Sequence, residues 1–361
     1  MVGLEGIRVA VIGGSIAGLS AACAFHRLGA LVSVYEKNPS GFSGRGSSMG
    51  FCDVNLWQRL RGSTMLRRGV QASRSQGAFL YGDLWSFWSA GLPPNTVRYG
   101  VEVSDLGDDP NRPTVLGEVY DLVIVADGGW STLRAKYFDQ AIPRYAGYTG
   151  YRFRVASDRV PGWNSEGMYS SSLGGPYDSI LMRIAKDDGT DWIMGGTTFA
   201  TPESALDKPT TGSNRQDGGG AVAGTPEWFL PWFRDHFGSY AGGELVRAMA
   251  AAEISSLPQY EFASSRVVLG RLVLIGDAAH MASPRTAAGA HTAVLDSAAL
   301  FEAFAGSAQV GGGKDKVIDR AIAAYDQPAL RRAAQLYARS IEVSANVAVQ
   351  GWSPSKAKGE L

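Results

Sequence analysis

At 361 residues, with 45% hydrophobic and 19% charged residues, the chain has the length and composition of a globular protein with a sizeable core. Its 34 Lys and Arg balance 34 Asp and Glu, so net charge argues for neither a nucleic-acid partner nor an anionic membrane surface. Two cysteines, Cys23 and Cys52, and four histidines in no ligand spacing exclude a disulfide framework and a metal cluster, and predict a reducing, cytoplasmic setting.

The first element in chain order is a short β-branched run, Ile7 to Ile12, which reads as a buried strand ended by glycine. Gly13-Gly14-Ser15-Ile16-Ala17-Gly18 follows, then a helix-like run from Leu19 to Leu28 that stops at Gly29. A second strand, Leu31 to Tyr35, ends in Glu36 and Lys37. This is a βαβ unit of the dinucleotide-binding kind. Gly13 permits the tight turn, the small Ser15 lets a pyrophosphate approach the backbone, and Gly18 lets helix and strand pack closely. Ile16 and Ala17 open the helix, whose free N–H groups face phosphate, and Glu36 is placed to accept from an adenosine ribose. Ser15 stands where the pattern usually has its second glycine. The apolar run Val9 to Phe25 also has the look of a secretion signal, but its glycine pattern has a use in a mature protein. No other apolar run approaches the ~20 residues that cross a bilayer.

Tyr81 to Trp88 has apolar residues at helical spacing and is read as a helix packed on the nucleotide unit, its aromatics core and not a cofactor platform. Val97 to Val103 is read as a strand of a small accessory sheet. Asp121 to Ala126 is a buried strand running into Asp127-Gly128, and Leu272 to Ile275 is another running into Gly276-Asp277-Ala278-Ala279-His280. A loop with Pro284 then leads into a small-residue helix near Gly289-Ala290-His291.

In order and separation, these three segments resemble the single-component (group A) flavin-dependent monooxygenases of the aromatic hydroxylase type. The resemblance covers most of the chain. It implies an α/β fold: a Rossmann-type FAD-binding fold, glutathione-reductase-like, with an antiparallel-sheet substrate domain and C-terminal helices. It implies that Asp127 and Gly128 lie near the pyrophosphate, that Asp277 after Gly276 binds the ribityl chain, and that Pro284, Ala288, Gly289, Ala290 and His291 border the flavin. Arg45, in Ser43-Gly44-Arg45-Gly46, matches an arginine that reaches toward the cofactor. Many members have glycines where this chain has Thr286 and Ala287, and an asparagine at His291. The run Pro284 to Gly289, with Tyr145-Ala146-Gly147-Tyr148, is most similar to the branch containing 2,6-dihydroxypyridine hydroxylase.

The resemblance divides the chain into an FAD-binding part, 1–147 with 262–345, an antiparallel substrate part, 148–261, and a tail, 346–361. Alternation in Tyr151 to Val155 and in Ser179 to Ile184, with Asp191 to Gly195 as a third strand, agrees with that middle part. Tyr148, Tyr151, Arg152, Met182 and Met194 are the substrate candidates, with the strand parity open. Ser204 to Thr225 reads as a long flexible loop, a lid or merely a disordered segment, and Gly306 to Lys316 as a loop between two C-terminal helices. Pro328 predicts a kink or break in the helical run Ala321 to Ser340, and the polar segment from Ser353 reads as a tail.

The activity implied is FAD-dependent hydroxylation or epoxidation of a small electron-rich aromatic, with NAD(P)H as transient reductant and O2 added to the flavin as a C4a-hydroperoxide. His291 is the one catalytic candidate, as a charge or hydrogen bond at the flavin's pyrimidine edge; a helix-packing role is its alternative. His280 reads as structural. Two other readings stay open: a dehydrogenase, oxidase or reductase of the same fold, and a silent FAD-binding partner protein. A homodimer stays open as well.

Overall fold

The computed structural model describes residues 3–42, 48–62, 70–73, 76–139, 142–161, 168–172, 178–185, 191–206, 229–250 and 254–349. Among these, two sheets of six strands each carry most of the architecture. The first runs in the order Val268–Leu269, Leu272–Leu274, Leu122–Val125, Arg8–Ile12, Leu31–Glu36, Val97–Tyr99. All its pairings are parallel except the one that adds Val268–Leu269. Leu122–Val125 and Leu272–Leu274 are buried at every position, as a parallel sheet covered on both faces requires.

Val97–Tyr99 therefore belongs to the main sheet, not to an accessory one. Val97 pairs with Val34 and extends the apolar row of the sheet, and the Val34 N–H donates to the Thr96 carbonyl at 2.9 Å. The small sheet is built instead from Ser48–Asp53, Gln76–Leu80 and Val70–Ser73.

The helix Ile16–Arg27 is buried continuously from Ile16 to Phe25, because it is packed on two sides. Its alanines approach the parallel sheet, and Phe25 meets the edge of Phe304 at 4.9 Å. Its other side packs on Trp57, Leu84, Phe87, Trp88 and Val294. The small Ser20 and Ser297 let this helix and Gly289–Val310 approach, with 2.8 Å between their hydroxyls.

The second sheet is antiparallel, in the order Met168–Ser172, Asp178–Ala185, Asp191–Ala200, Arg144–Ala156, Ser255–Ala263, His280–Met281. Tyr151, Phe153 and Val155 on one face bury against Phe229, Trp232 and Phe233 of the helix Phe229–Ala250. The edge strand His280–Met281 follows the Gly276–Asp277 turn directly, so one loop serves both sheets.

The C-terminal helices are longer than expected. Gly289–Val310 runs through Gly306, and the connection shrinks to the three glycines before Lys314–Val349. The reason is packing: Ala308 is buried, and the Ser307 hydroxyl donates to the Val317 carbonyl at 2.7 Å. Pro328 lies inside Lys314–Val349 without ending it. The lost bond and ring clash cost ~3 kcal/mol in a free helix, but Tyr325, Ala329 and Ala333 around it are buried and hold the helix in place. Most of the predicted 204–225 loop, and the tail from Ser353, lie outside the described residues; the turn Glu203–Ala205 is the described start of that loop. No helix among the described residues is long and apolar enough to cross a membrane.

Candidate active site

The carboxyl ends of four neighbouring strands stand in one row: Leu274 opposite Val125, Val125 opposite Ile12, and Ile12 opposite Tyr35, one residue before its strand ends at Glu36. Just past them come Gly276-Asp277, Asp127-Gly128, Gly13 and Glu36. Segments far apart in the chain thus meet along one carboxyl edge of the parallel sheet, where open α/β sheets bind nucleotides.

At the first turn, Gly13 has φ of 107°, and a Cβ there would lie 2.2 Å from the Ala126 carbonyl oxygen. A Cβ on Gly18 would lie 1.9 Å from the Gly13 carbonyl oxygen, so helix and strand touch only because both are glycine. Glu36 is buried and shapes the same turn: its carboxylate accepts from Gly14 N at 2.6 Å and from Asn38 N at 2.8 Å. Lys37 lies exposed beyond it. Ser15 is the N-cap residue of Ile16–Arg27 without capping it by its side chain, because its hydroxyl bonds the Tyr81 phenol instead. Trp85 Nε1 donates to the Gly14 carbonyl at 2.9 Å. The helix Tyr81–Ser89 is thus core through Leu84, Phe87 and Trp88, but Tyr81 and Trp85 hold the nucleotide turn, a role the sequence pattern did not reveal.

Arg134 was also missed. It is buried, and its guanidinium donates to the carbonyls of Gly129 at 3.0 Å and Ala278 at 3.2 Å while lying over the Phe262 ring at 4.1 Å. One side chain therefore ties the Asp127-Gly128 turn to the Gly276-Asp277 turn. Burial raises the Asp127 pKa, opposed by the Ser131 hydroxyl and the Arg134 charge, and among the described residues Asp127 Oδ1 has no hydrogen-bond partner. Asp277 is exposed on the side of the cleft yet crowded by protein elsewhere. Desolvation raises its pKa against the pull of His280.

Behind Asp277, Asp296 Oδ2 accepts from Gly276 N at 3.1 Å and pairs with His280 Nε2 at 2.6 Å, and its Oδ1 accepts from the Arg332 guanidinium at 3.0 Å. His280 is structural, as its place in the motif suggested.

In the proline loop, Ala287 adopts φ of 51° and ψ of 17°, the left-handed conformation, at a position where the resemblance has glycine. Pro284, Ala288, Gly289 and Ala290 are not buried, and a Cβ built on Gly289 or Gly128 meets nothing within 4 Å. Both glycines border open space. His291 is half-buried at the start of Gly289–Val310; its Nδ1 has no partner among the described residues, and burial lowers its pKa against the influence of Asp53. Open glycines along the cleft, an unsatisfied carboxylate oxygen and an unsatisfied imidazole nitrogen fit an FAD laid from Glu36 to the proline loop. Arg45 lies outside the described residues.

The antiparallel sheet settles the parity of the substrate candidates. Tyr148 turns away from the aromatic core: its hydroxyl bonds Ser283 just before the proline loop. Arg152 lies on that same face, opposite Gly196. Met194, opposite Arg154, follows the same parity, and Met182 stands opposite Met194 in the next ladder. Tyr151 does not join them. It points to the other face and stacks on Phe229 at 5.5 Å, because an odd spacing from Tyr148 reverses the side chain. Tyr148 itself is fully buried, so it backs the cleft rather than opening onto it. Glu261, also fully buried, anchors this region to the last helix through Ser340 at 2.7 Å and Ser344 at 3.1 Å, and pairs with Arg144.

The description "FAD binding domain" matches residues 240–340. The Streptomyces platensis protein named 3-amino-4-hydroxybenzoate 2-monooxygenase PtnB3 is 25% identical over 380 residues, covering 93% of this chain and 87% of that protein. The structure of 2,6-dihydroxypyridine-3-hydroxylase from Arthrobacter nicotinovorans superimposes with a TM-score of 0.75 at 20% identity, covering 96% of this chain and 94% of that one. The Klebsiella pneumoniae protein HpxO, in complex with FAD and uric acid, does so with a TM-score of 0.67 at 19% identity, covering 99% and 92%. Cofactor edge, fold and sequence relatives agree in what they resemble: the chain is similar throughout to single-component, FAD-dependent aromatic hydroxylases and monooxygenases.

Proposed function

We propose that this enzyme uses NAD(P)H and O2 to place one oxygen atom on a small electron-rich aromatic or heteroaromatic substrate. FAD, reduced by the nicotinamide, supplies the activation of oxygen. The chain's own residues bind, orient and exclude water. Gly13, Ser15, Ile16, Ala17, Gly18, Glu36 and Lys37 would hold the adenosine and pyrophosphate, with Arg45 reaching in from the following loop. Asp127, Gly128, Gly276 and Asp277 would hold the middle of the cofactor. Pro284, Ala288, Gly289, Ala290 and His291 would border the ring system, where the positive end of Gly289–Val310 favours negative charge on the reduced flavin.

One observation carries the reading: the proline loop, at the end of the cofactor row, bonds directly to the antiparallel sheet through Arg285 Nη1 and Thr198 Oγ1 at 2.9 Å. A ring held between them would lie against the flavin border on one side and the sheet face of Arg152 and Met194 on the other. In this reading residues 148–261 act as the substrate part and 1–147 with 262–345 as the cofactor part. A cytoplasmic location and a homodimer belong to the same proposal.

The test is oxygen transfer. Purified enzyme with NADH or NADPH and 18O2 is offered phenols, hydroxypyridines and aminohydroxybenzoates, and products are analysed by mass spectrometry. One 18O per product is expected. NAD(P)H consumption with hydrogen peroxide and no labelled product from any substrate would favour an oxidase or reductase instead; no consumption at all would favour a silent FAD-binding protein.

A further inference from the structure

Glu261 stands behind the proline loop, fully buried and away from the cleft. Its Oε2 accepts from the hydroxyls of Ser340 at 2.7 Å and Ser344 at 3.1 Å, and its Oε1 pairs with the Arg144 guanidinium. Both serines are buried as well. A serine inside a helix ordinarily bonds a carbonyl of its own preceding turn. These two, one turn apart on one face of Lys314–Val349, donate to the carboxylate instead.

From Glu261 an unbroken series of hydrogen bonds runs into the proline loop. Ser340 Oγ, which donates to Glu261, accepts from Ser283 N at 2.7 Å. The Ser283 carbonyl accepts from Thr286 Oγ1 at 2.8 Å, and Thr286 Oγ1 accepts from Ala288 N at 3.2 Å. Ser283 Oγ bonds the Tyr148 phenol and accepts from Arg285 N at 3.2 Å. Tyr148 closes the circuit: burial raises its pKa, and the hydrogen bonds of Ser283 and Ser344 are among the influences that oppose this. The series encloses Ala287, held in the left-handed conformation, and ends one residue before Gly289. A strained residue persists only where its surroundings over-determine it.

A carboxylate suits this place because it only accepts. Both serine hydroxyls must turn their hydrogens to it, so Ser340 presents a lone pair to the Ser283 N–H and the direction of the series is fixed. Glutamine, equal in shape, carries two donor hydrogens and removes that constraint. The same helix also supplies Arg332, about two turns before Ser340, which holds Asp296 and through it the Gly276 N–H. We propose that Glu261 is a positioning residue for the flavin: through Ser340, Ser344 and Ser283 its carboxylate sets where the backbone of Ala288 and Gly289 lies against the ring system. This rests on the cofactor placement proposed above and deepens it, naming what fixes that border from behind.

The FAD-loaded enzyme and four variants are compared by the visible circular dichroism of the bound flavin and by FAD release on dilution. Glu261→Gln and Ser340→Ala should each change the dichroism and weaken FAD about tenfold or more, the equivalent of one charge-assisted hydrogen bond. Ser307→Ala removes a buried bond to the Val317 carbonyl, roughly 27 Å along Gly289–Val310 from its start. It should lower the unfolding midpoint yet leave the dichroism unchanged and FAD affinity within about twofold. Gly289→Ala places a methyl group in the open space where the ring system is proposed to lie, and should disturb the flavin directly. Unchanged dichroism and release in either Glu261→Gln or Ser340→Ala, with Gly289→Ala disturbed, overturns the positioning role and leaves the cofactor placement standing. An undisturbed flavin in Gly289→Ala overturns the placement, and the role of Glu261 with it. Equal flavin changes in Ser307→Ala and Glu261→Gln also overturn that role, as they would follow from lost stability alone. If Glu261→Gln does not fold, Ser340→Ala decides by the same criteria.

Discussion

His280 Nε2 lies 2.6 Å from Asp296 Oδ2, and both residues are about 1% exposed. Burial opposes charge on each, yet each raises the other's preference for it. The His280 pKa is raised above its ordinary 6.5, and the Asp296 pKa is lowered below its ordinary 3.8, with Arg332 and the Gly276 N–H assisting. A raised histidine pKa stabilises the fold below 6.5 and ceases to do so as pH rises through the folded value. A lowered carboxylate pKa stabilises above 3.8 and ceases to do so as pH falls through its folded value. The pair therefore contributes most between about pH 4 and pH 6.5. Asp296→Asn should cost about 3–5 kcal/mol in that window, the range for breaking a buried ion pair. The cost should shrink at alkaline pH, with a constant remainder from Arg332. Denaturant melts of both proteins from pH 4.5 to pH 9 measure this; a difference that does not change with pH contradicts it.

Arg134 should govern cofactor retention without touching substrate. Arg134→Met leaves the Gly129 and Ala278 carbonyls without their donor and unties the two turns. An expected cost of about 2–4 kcal/mol follows from two buried charge-assisted bonds. FAD affinity, followed by recovery of flavin fluorescence on release, should fall at least tenfold. Arg134→Lys should rescue only part, since an ammonium does not stack as a plane on Phe262.

Ala287 is a place where the protein is strained without need. An L-residue in the left-handed region costs about 1–2 kcal/mol, whereas glycine there costs only its extra unfolded-state entropy, about 0.5–1 kcal/mol. Ala287→Gly should stabilise by about 0.5–1 kcal/mol, and Ala287→Val should destabilise. Chemical denaturation of the three proteins decides it, and a loss of stability in the glycine variant would show that the backbone there is not strained.

His291 has a pKa lowered by burial, so at neutral pH it offers a hydrogen bond rather than a charge. If it faces the flavin, His291→Leu should lower the flavin reduction potential by about 30 mV, equivalent to about 1.4 kcal/mol for two electrons. His291→Asn should change it by less. The shift should be the same at pH 7 and pH 8.5. Equal potentials in all three proteins would leave His291 a packing residue.

The parallel sheet and its turns are legible because their signals are local. Val9 to Ile12, Leu122 to Val125 and Leu272 to Leu274 are short apolar runs ended by glycine or by an aspartate–glycine pair, and only close backbone approach explains Gly13 and Gly18. The antiparallel sheet is less legible because alternation reports two faces without naming them. Tyr148 and Tyr151 look equivalent in sequence, yet one backs the proline loop and the other stacks under Phe229. The same limit hid Tyr81, Trp85 and Arg134, whose work is done on residues far away in the chain.

By itself, then, the sequence determined that Glu36, Asp127 and Asp277 follow strands and precede turns, because strand period and glycine placement are properties of neighbouring residues. Only the tertiary structure decided that those three turns share one edge, that Asp296 stands behind Asp277, and that Arg285 of the proline loop reaches the antiparallel sheet at Thr198. Strand order and register are set by packing across the whole chain, and no local pattern encodes them.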